Sequence, residues 1–182
     1  MEKISLVIPC KDEVESLGAV LEEIKDSRLV DEIIVIVDNK EDNSIPITKK
    51  YNCKLIIQKK KGYGSAIIEG FKIARNDFGC IYNADYSFDP KYFSELVRLS
   101  KNYDFIFGSR YKGHGGSDDD DAITLIGNKI FTFITKFILR INLSDILYTY
   151  VLCNVNKFNN LNLKNNDFKF CIELPVKVKK NN

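Results

Sequence analysis

ISLVIPCKDEVESL, residues 4–17, is the stretch on which the fold turns. Ile4 to Ile8 form a short apolar run bounded by polar residues, which suits a strand buried on both faces. Directly after it, Val14, Leu17, Val20, Leu21 and Ile24 repeat at helical spacing. The same alternation recurs downstream. Further strand-like runs occur at Ile33 to Val37, Leu55 to Ile57, Cys80 to Tyr82 and Phe105 to Phe107. Between them, Ala66, Ile67, Gly70, Phe71 and Ala74, and then Phe93, Leu96, Val97 and Leu99, carry the helical period; the connection Asn43 to Tyr51 is shorter and ambiguous. Alternating strand and helix predict an α/β fold with a mostly parallel central sheet and helices on both faces.

Ligands of such sheets bind beyond the carboxyl ends of the strands, near the point where strand order reverses. The segments predicted at those ends are Pro9 to Glu13, Asp38 to Asn43, Asn83 to Pro90 and Gly108 to Tyr111. They are rich in groups that bind or react, whereas the strands are not.

Bulk properties narrow the classes. The 182 residues suffice for one well-buried core and predict a single domain. A net charge of +2 lacks the concentrated positive field that nucleic acid requires. Five widely spaced cysteines without a C-x-x-C pair read as reduced core residues, not as a disulfide framework or zinc site. Met1 leads straight into a strand-like run, which fits a cytoplasmic protein. The apolar segment Ile123 to Leu143 is interrupted by Asn128, Lys129, Lys136 and Arg140, so it should not cross a membrane. Three readings of it stand: an interfacial helix on the cytoplasmic face of a membrane, core packing, or a contact between copies of the chain.

ISLVIPCKDEVESL (4–17), EIIVIVDNKEDNS (32–44), KKGYGSAIIEGFKIA (60–74), CIYNADYSFDP (80–90) and DFIFGSRY (104–111) run in register, over about 110 residues, with one family. In this order they resemble the dolichol-phosphate mannose synthase branch of the family 2 glycosyltransferases, which transfer sugars to polyprenyl phosphates. The resemblance implies a glycosyltransferase A-type, Rossmann-like fold. Residues 1–111 would form the nucleotide-sugar-binding half and 112–182 the acceptor side.

Roles follow from the resemblance. Pro9, Lys11 and Glu13 would hold the base and ribose of a nucleoside-diphosphate sugar; Glu13 is equally suited to the first turn of a helix, where the dipole favours an acid. Asp38 would face the base, or else be a turn residue at a strand end; Asn39 stands where the family has a second Asp. Gly62 and Gly64 would let backbone approach the donor at a helix N-terminus, although a plain loop-to-helix turn also uses such glycines. Lys59 to Lys61 could screen phosphate charge or simply be solvated.

Asn83-Ala84-Asp85 occupies the place of the family's D-x-D motif. Asn83, Asp85 and Ser87 would surround Mg²⁺ or Mn²⁺, which prefer oxygen ligands and offset charge on the departing diphosphate. With Asn83 in place of an acid, one formal charge is lost. Asp85, as the central carboxylate, and Arg110, whose planar fork matches phosphate oxygens, are the residues expected to carry catalysis; Asp85 could instead be a cap or turn residue, and Arg110 a member of a surface salt bridge. Ser109, Arg110 and Asp145 would bind the acceptor phosphate. Further along, Gly127-Asn128 and Thr124 match later family positions, while Asp120 stands where an Arg is usual. The run Asp118 to Asp121 reads as a solvated, helix-capping loop, with a metal cluster as the weaker alternative, and His114 as exposed.

A polyprenyl phosphate is already an anion, so the expected reaction is its inverting attack on the sugar with alignment and leaving-group stabilisation as the main needs. Two rivals are a family 2 transferase acting on a saccharide hydroxyl, which needs a carboxylate base, and a non-catalytic nucleotide-sugar-binding protein, suggested by Asn39, Asn83 and Asp120. Finally, Phe170 to Val178 reads as a last strand.

Overall fold

A computed structural model describes residues 2–111, 130, 132–133 and 135–181. His114, the run Asp118 to Asp121, Thr124 and Gly127-Asn128 lie outside the described residues.

The predicted alternation is present. Strands β1 (Ile4–Cys10), β2 (Val30–Val37), β3 (Lys54–Ile57), β4 (Phe78–Ile81) and β5 (Phe105–Phe107) alternate with helices α1 (Val14–Ile24), α2 (Ile45–Lys50), α3 (Tyr63–Phe71) and α4 (Phe93–Ser100). A strand β6 (Val151–Asn154) and helices α5 (Val155–Asn160) and α6 (Phe170–Asn181) follow. The sheet order is β3-β2-β1-β4-β6-β5. β1 to β4 pair in parallel, and β6 runs antiparallel between β4 and β5.

Side chains on successive strand residues point to opposite faces, so each strand feeds two cores. Ile4, Leu6, Ile8, Val35, Val37 and Cys80 pack with α1 and α4 on one side. Val7, Ile34, Ile36, Ile81 and Cys153 pack with α3, α5 and α6 on the other. Each such fully buried aliphatic side chain contributes about 1.5–3 kcal/mol relative to exposure.

β1 extends through Pro9, which pairs with Ile36. Proline is tolerated there because β4 stays beside β1 only as far as Val7, leaving no partner on that side for the missing N–H. This departure of β4 from β1 is also the point where strand order reverses, and it opens the cleft described below.

Two elements differ from the sequence reading. Phe170 to Val178 is not a strand but part of helix α6, with Pro175 inside it. Phe170, Cys171, Leu174 and Val178 are buried at helical spacing, and their burial offsets a proline that costs about 3 kcal/mol inside a helix. The antiparallel β6, over Val151–Asn154, was not anticipated from the sequence.

Among the described residues, no helix is long and apolar enough to cross a membrane. Residues 135–139 are helical. Phe133, Phe137 and Ile138 are largely exposed, which removes core packing as an account of these three.

Candidate functional site

A cavity of about 680 Å³ lies at the carboxyl ends of the parallel strands. Its wall takes Pro9, Cys10, Lys11 and Glu13 from the end of β1 and beyond, Asp38 from β2, Gln58 from β3, and Asn83, Ala84 and Asp85 from β4. The opposite side is made by Lys61, Gly62, Tyr63 and Ala66, and by Leu147, Thr149, Phe168 and Cys171. Of the sequence-predicted residues, Pro9, Lys11, Glu13, Asp38, Gly62, Asn83, Ala84 and Asp85 therefore share one hollow. Gly64, Ser87, Ser109, Arg110 and Asp145 do not line it.

The loop carrying Lys11 and Glu13 is held from β2's side. Buried Asp42 accepts the backbone N–H of Asp12 at 3.1 Å through one oxygen and that of Ser44 at 2.8 Å through the other. The Ser44 hydroxyl oxygen accepts the Glu13 N–H at 2.8 Å. These bonds stabilise Asp12 in the left-handed region, φ 54°. Glu13 stands at the N-cap of α1, with its carboxylate accepting from the Ser16 hydroxyl at 2.7 Å. Lys11 reaches within 3.8 Å of the Asp38 carboxylate, which is mostly shielded from solvent. Asn39 donates its amide to the same carboxylate at 2.5 Å. Burial pushes the Cys10 and Cys171 thiols up to about 11, so both cavity-wall sulfurs stay protonated and are poor nucleophiles.

At the end of β4 a relay of side chains fixes the Asn83 amide. Tyr63 donates its hydroxyl to Asn83 Oδ1 at 3.1 Å and lies 2.6 Å from the Thr149 hydroxyl. Because the one phenolic proton is committed to Asn83, Thr149 must donate to Tyr63. Burial raises the Tyr63 pKa well above its ordinary value, keeping that proton in place. Asn83 Nδ2 in turn donates to Ser87 Oγ at 3.0 Å. The amide oxygen is thus oriented and retains a lone pair, while Ser87 faces the nitrogen side. Asp85 is exposed; its Oδ1 accepts the Ser87 N–H at 3.0 Å, closing a turn.

These groups fit a divalent cation of the magnesium kind. Mg²⁺ is ordinarily held by one or two carboxylates together with substrate phosphates and water, and the second oxygen of Asp85 with Asn83 Oδ1 supplies the protein's share. Among the described residues, no three His, Cys, Asp or Glu side chains gather as a self-sufficient metal cluster. A cation here would complete its coordination with oxygens of the ligand or of water.

The glycines of the Gly62-Tyr63-Gly64 turn have a different reason from the one expected. Gly62 has φ 123°, and a Cβ on it would sit 2.3 Å from the Asn166 carbonyl oxygen. A Cβ on Gly64 would sit 2.3 Å from the Asn165 carbonyl oxygen. The Ser65 N–H donates to Asn166 O at 3.0 Å. The close-approaching backbone is therefore the chain's own segment 165–167, which occupies part of the α3 N-terminus. Glu173 anchors that segment, accepting the Lys164 and Asn165 N–H groups at 2.8–3.0 Å. Phe168 is delivered to the cavity rim, where its ring stacks on Tyr63 at 5.0 Å.

Arg110 sits beyond β5, its guanidinium over the Tyr148 ring at 5.3 Å. Its Nε and Nη2 donate to Oδ2 and Oδ1 of Asp145 at 2.8 and 3.1 Å, and its backbone N–H to Oδ2 at 3.3 Å. The Asp145 side chain has no exposure, so it holds the arginine and does not itself reach a ligand. Ser109 accepts the Ser144 hydroxyl at 2.7 Å. Gln58, Thr149 and Phe168 were not singled out as site residues by the sequence; Tyr63 was visible only as the residue between two glycines.

Residues 5–161 match the model of glycosyl transferase family 2, and the chain belongs to that family. It is similar to a dolichol-phosphate mannosyltransferase of Pyrococcus furiosus, with 34% identity over 117 residues, 60% of this chain and 33% of that protein. An uncharacterized glycosyltransferase of Mycobacterium bovis is 29% identical over 110 residues, covering 60% of this chain and 49% of its own length. The chain thus spans between a third and a half of these curated relatives. Glucosyl-3-phosphoglycerate synthase of Mycobacterium tuberculosis, solved with Mn²⁺, UDP and glucosyl-3-phosphoglycerate, shares the fold at a TM-score of 0.73 and 14% identity, over 98% of this chain and 65% of that one. Mannosyl-3-phosphoglycerate synthase of Rubrobacter xylanophilus shares it at 0.68 and 16%, over 86% and 55%.

Proposed function

We propose that this chain is a glycosyltransferase catalytic region that moves a hexose from a nucleoside-diphosphate sugar to a phosphate-bearing acceptor, a polyprenyl phosphate in the first instance. The observation that carries the reading is the single cavity at the strand tips in which Glu13, Asp38, Asn83 and Asp85 meet. Support for the acceptor class comes from the dolichol-phosphate mannosyltransferase relative. The phosphoglycerate named for both structural neighbours keeps a small phosphorylated acceptor as a second reading.

In this reading Glu13 and Asp38 take the ribose hydroxyls and base. Asn83 and Asp85 lie beside the diphosphate. An Mg²⁺ or Mn²⁺ ion held there with the diphosphate would offset the negative charge of the departing nucleoside diphosphate. Arg110, kept in orientation by Asp145, faces the acceptor phosphate. An acceptor oxygen forms the new bond to the anomeric carbon as the bond from that carbon to the diphosphate oxygen breaks, inverting the centre. An anionic phosphate oxygen needs no general base.

Calorimetric titration of UDP, GDP and their hexose derivatives, with and without Mn²⁺, tests the donor side. One nucleotide should bind at least tenfold tighter with Mn²⁺. Equal binding with and without the ion would remove the metal-assisted reading, and no binding of any nucleotide would remove the donor site altogether.

A further inference from the structure

Behind the Asn83–Asp85 pair, three consecutive carbonyl oxygens each accept a tyrosine hydroxyl. Tyr148 donates to Ser87 O at 3.1 Å, Tyr82 to Phe88 O at 2.7 Å and Tyr150 to Asp89 O at 3.0 Å. The Phe88 ring lies among the same three residues, parallel to Tyr150 at 4.7 Å and edge-on to Tyr148 at 5.0 Å and Tyr82 at 5.8 Å. Strand β4 ends at Ile81, before Asp85, so these contacts fix the course of residues 87–89.

Tyr82 and Tyr150 are core residues, 1% and 2% exposed. Tyr148 differs from them. It is only partly buried, and its ring flanks the Arg110 guanidinium, 5.3 Å from the centroid, alongside Tyr111 at 5.1 Å and the Asp145 carboxylate that grips the same group. Its chain neighbours Leu147 and Thr149 both line the cavity. Burial pushes the Tyr148 hydroxyl up to about 12, so it stays a donor at neutral pH.

We infer that Tyr148 is a positioning residue with two separable tasks: its hydroxyl helps set the loop that carries Asp85, and its ring backs the Arg110 guanidinium that Asp145 grips. The nucleotide-diphosphate end and the acceptor-phosphate end of the site are thereby held in one geometry. This rests on the donor and acceptor roles proposed above for Asp85 and Arg110. A hydroxyl-to-carbonyl bond and a cation–π contact act on different atoms, so each can be removed alone.

The test compares wild type, Tyr148→Phe and Tyr148→Leu, using UDP or GDP, whichever wild type binds, with Mn²⁺, and inorganic phosphate as the acceptor probe. Tyr148→Phe should raise the Mn²⁺ concentration for half-maximal nucleotide binding about fivefold, with phosphate affinity unchanged. Tyr148→Leu should do the same and also weaken phosphate binding about threefold or more. Unfolding midpoints of all three proteins accompany the titrations, so a loss of fold is not mistaken for a loss of positioning. A wild-type Mn²⁺ dependence in Tyr148→Phe, or unaltered phosphate affinity in Tyr148→Leu, overturns the inference while leaving the donor-site reading intact. A wild type that binds neither nucleotide in Mn²⁺ overturns the donor-site reading and this inference with it.

Discussion

The two walls of the cavity are built on opposite principles. On one side, Pro9, Asp38, Gln58 and Asn83 to Asp85 stand at or just beyond the ends of parallel strands, Asp38 and Asp85 being charged. On the other, Lys61 is the one charged residue among the described residues of the wall; Leu147, Thr149, Phe168 and Cys171 are uncharged at neutral pH, and the loop bearing Phe168 is held by backbone contacts to a glycine turn and by Glu173. The first wall brings charge to a point; the second encloses it and orients a neutral relay. Chemistry should therefore fail when the first wall is altered, and stability when the second is.

Asp85 gives the sharpest contrast. Its side chain is exposed and, among the described residues, its side-chain bond to the Ser87 N–H closes a local turn, so Asp85→Ala should leave the unfolding midpoint close to wild type. Transfer activity should drop by about 100-fold or more, the scale expected when a group stabilising a departing charge is lost. Steady-state transfer assays beside thermal unfolding read both quantities. Near-wild-type turnover would move the charge-handling role to another side chain of the strand-tip wall.

The difference between the walls is also the difference in what the sequence disclosed. Parallel strands buried on both faces appear as uninterrupted apolar runs, so β1 to β5 could be located, and residues following such runs fall at one edge of the sheet. That rule alone placed Glu13, Asp38 and Asp85 together. The second wall obeys no period. Phe168 arrives from about 100 residues away through a loop without helical or strand pattern, and its docking depends on carbonyl oxygens that any residue possesses. Gly62 and Gly64 did announce a close approach, but a glycine marks only the absence of a Cβ and not what takes its space. Pro175 and the alternation in Val176 to Val178 disguised α6 as a strand, where burial of Phe170 and Leu174 prevails over the proline.

Gly64→Ala attacks the second wall at that docking point. The added Cβ would meet the Asn165 carbonyl oxygen at 2.3 Å and Phe170 Cβ at 2.7 Å, neither of which is the end of a flexible side chain. Overpacking of this kind costs about 1–3 kcal/mol. Denaturant unfolding should show that loss, and hydrogen exchange should show faster amide exchange in residues 165–170. Unchanged stability and exchange would mean that this wall does not rest on the turn.

The smallest expected effect is the most discriminating, because it tests whether the strand-tip wall is weakened by its own sequence. Asn83→Asp places a second carboxylate beside Asp85 with almost no change in shape. Tyr63 can still donate to the retained oxygen, and the lost amide-to-Ser87 bond can reverse, with the Ser87 hydroxyl donating instead. What changes is charge. The added carboxylate attracts a cation and repels Asp85 when none is bound, so the Mn²⁺ concentration for half-maximal nucleotide binding should fall about fivefold, roughly 1 kcal/mol at a solvent-accessible site. The unfolding midpoint without metal should drop slightly. Both shifts would mean that the amide lowers cation affinity without abolishing the site. An unchanged Mn²⁺ dependence would place the cation away from Asn83, and the relay from Thr149 through Tyr63 would then serve to shape the wall and not to aim an oxygen at a metal.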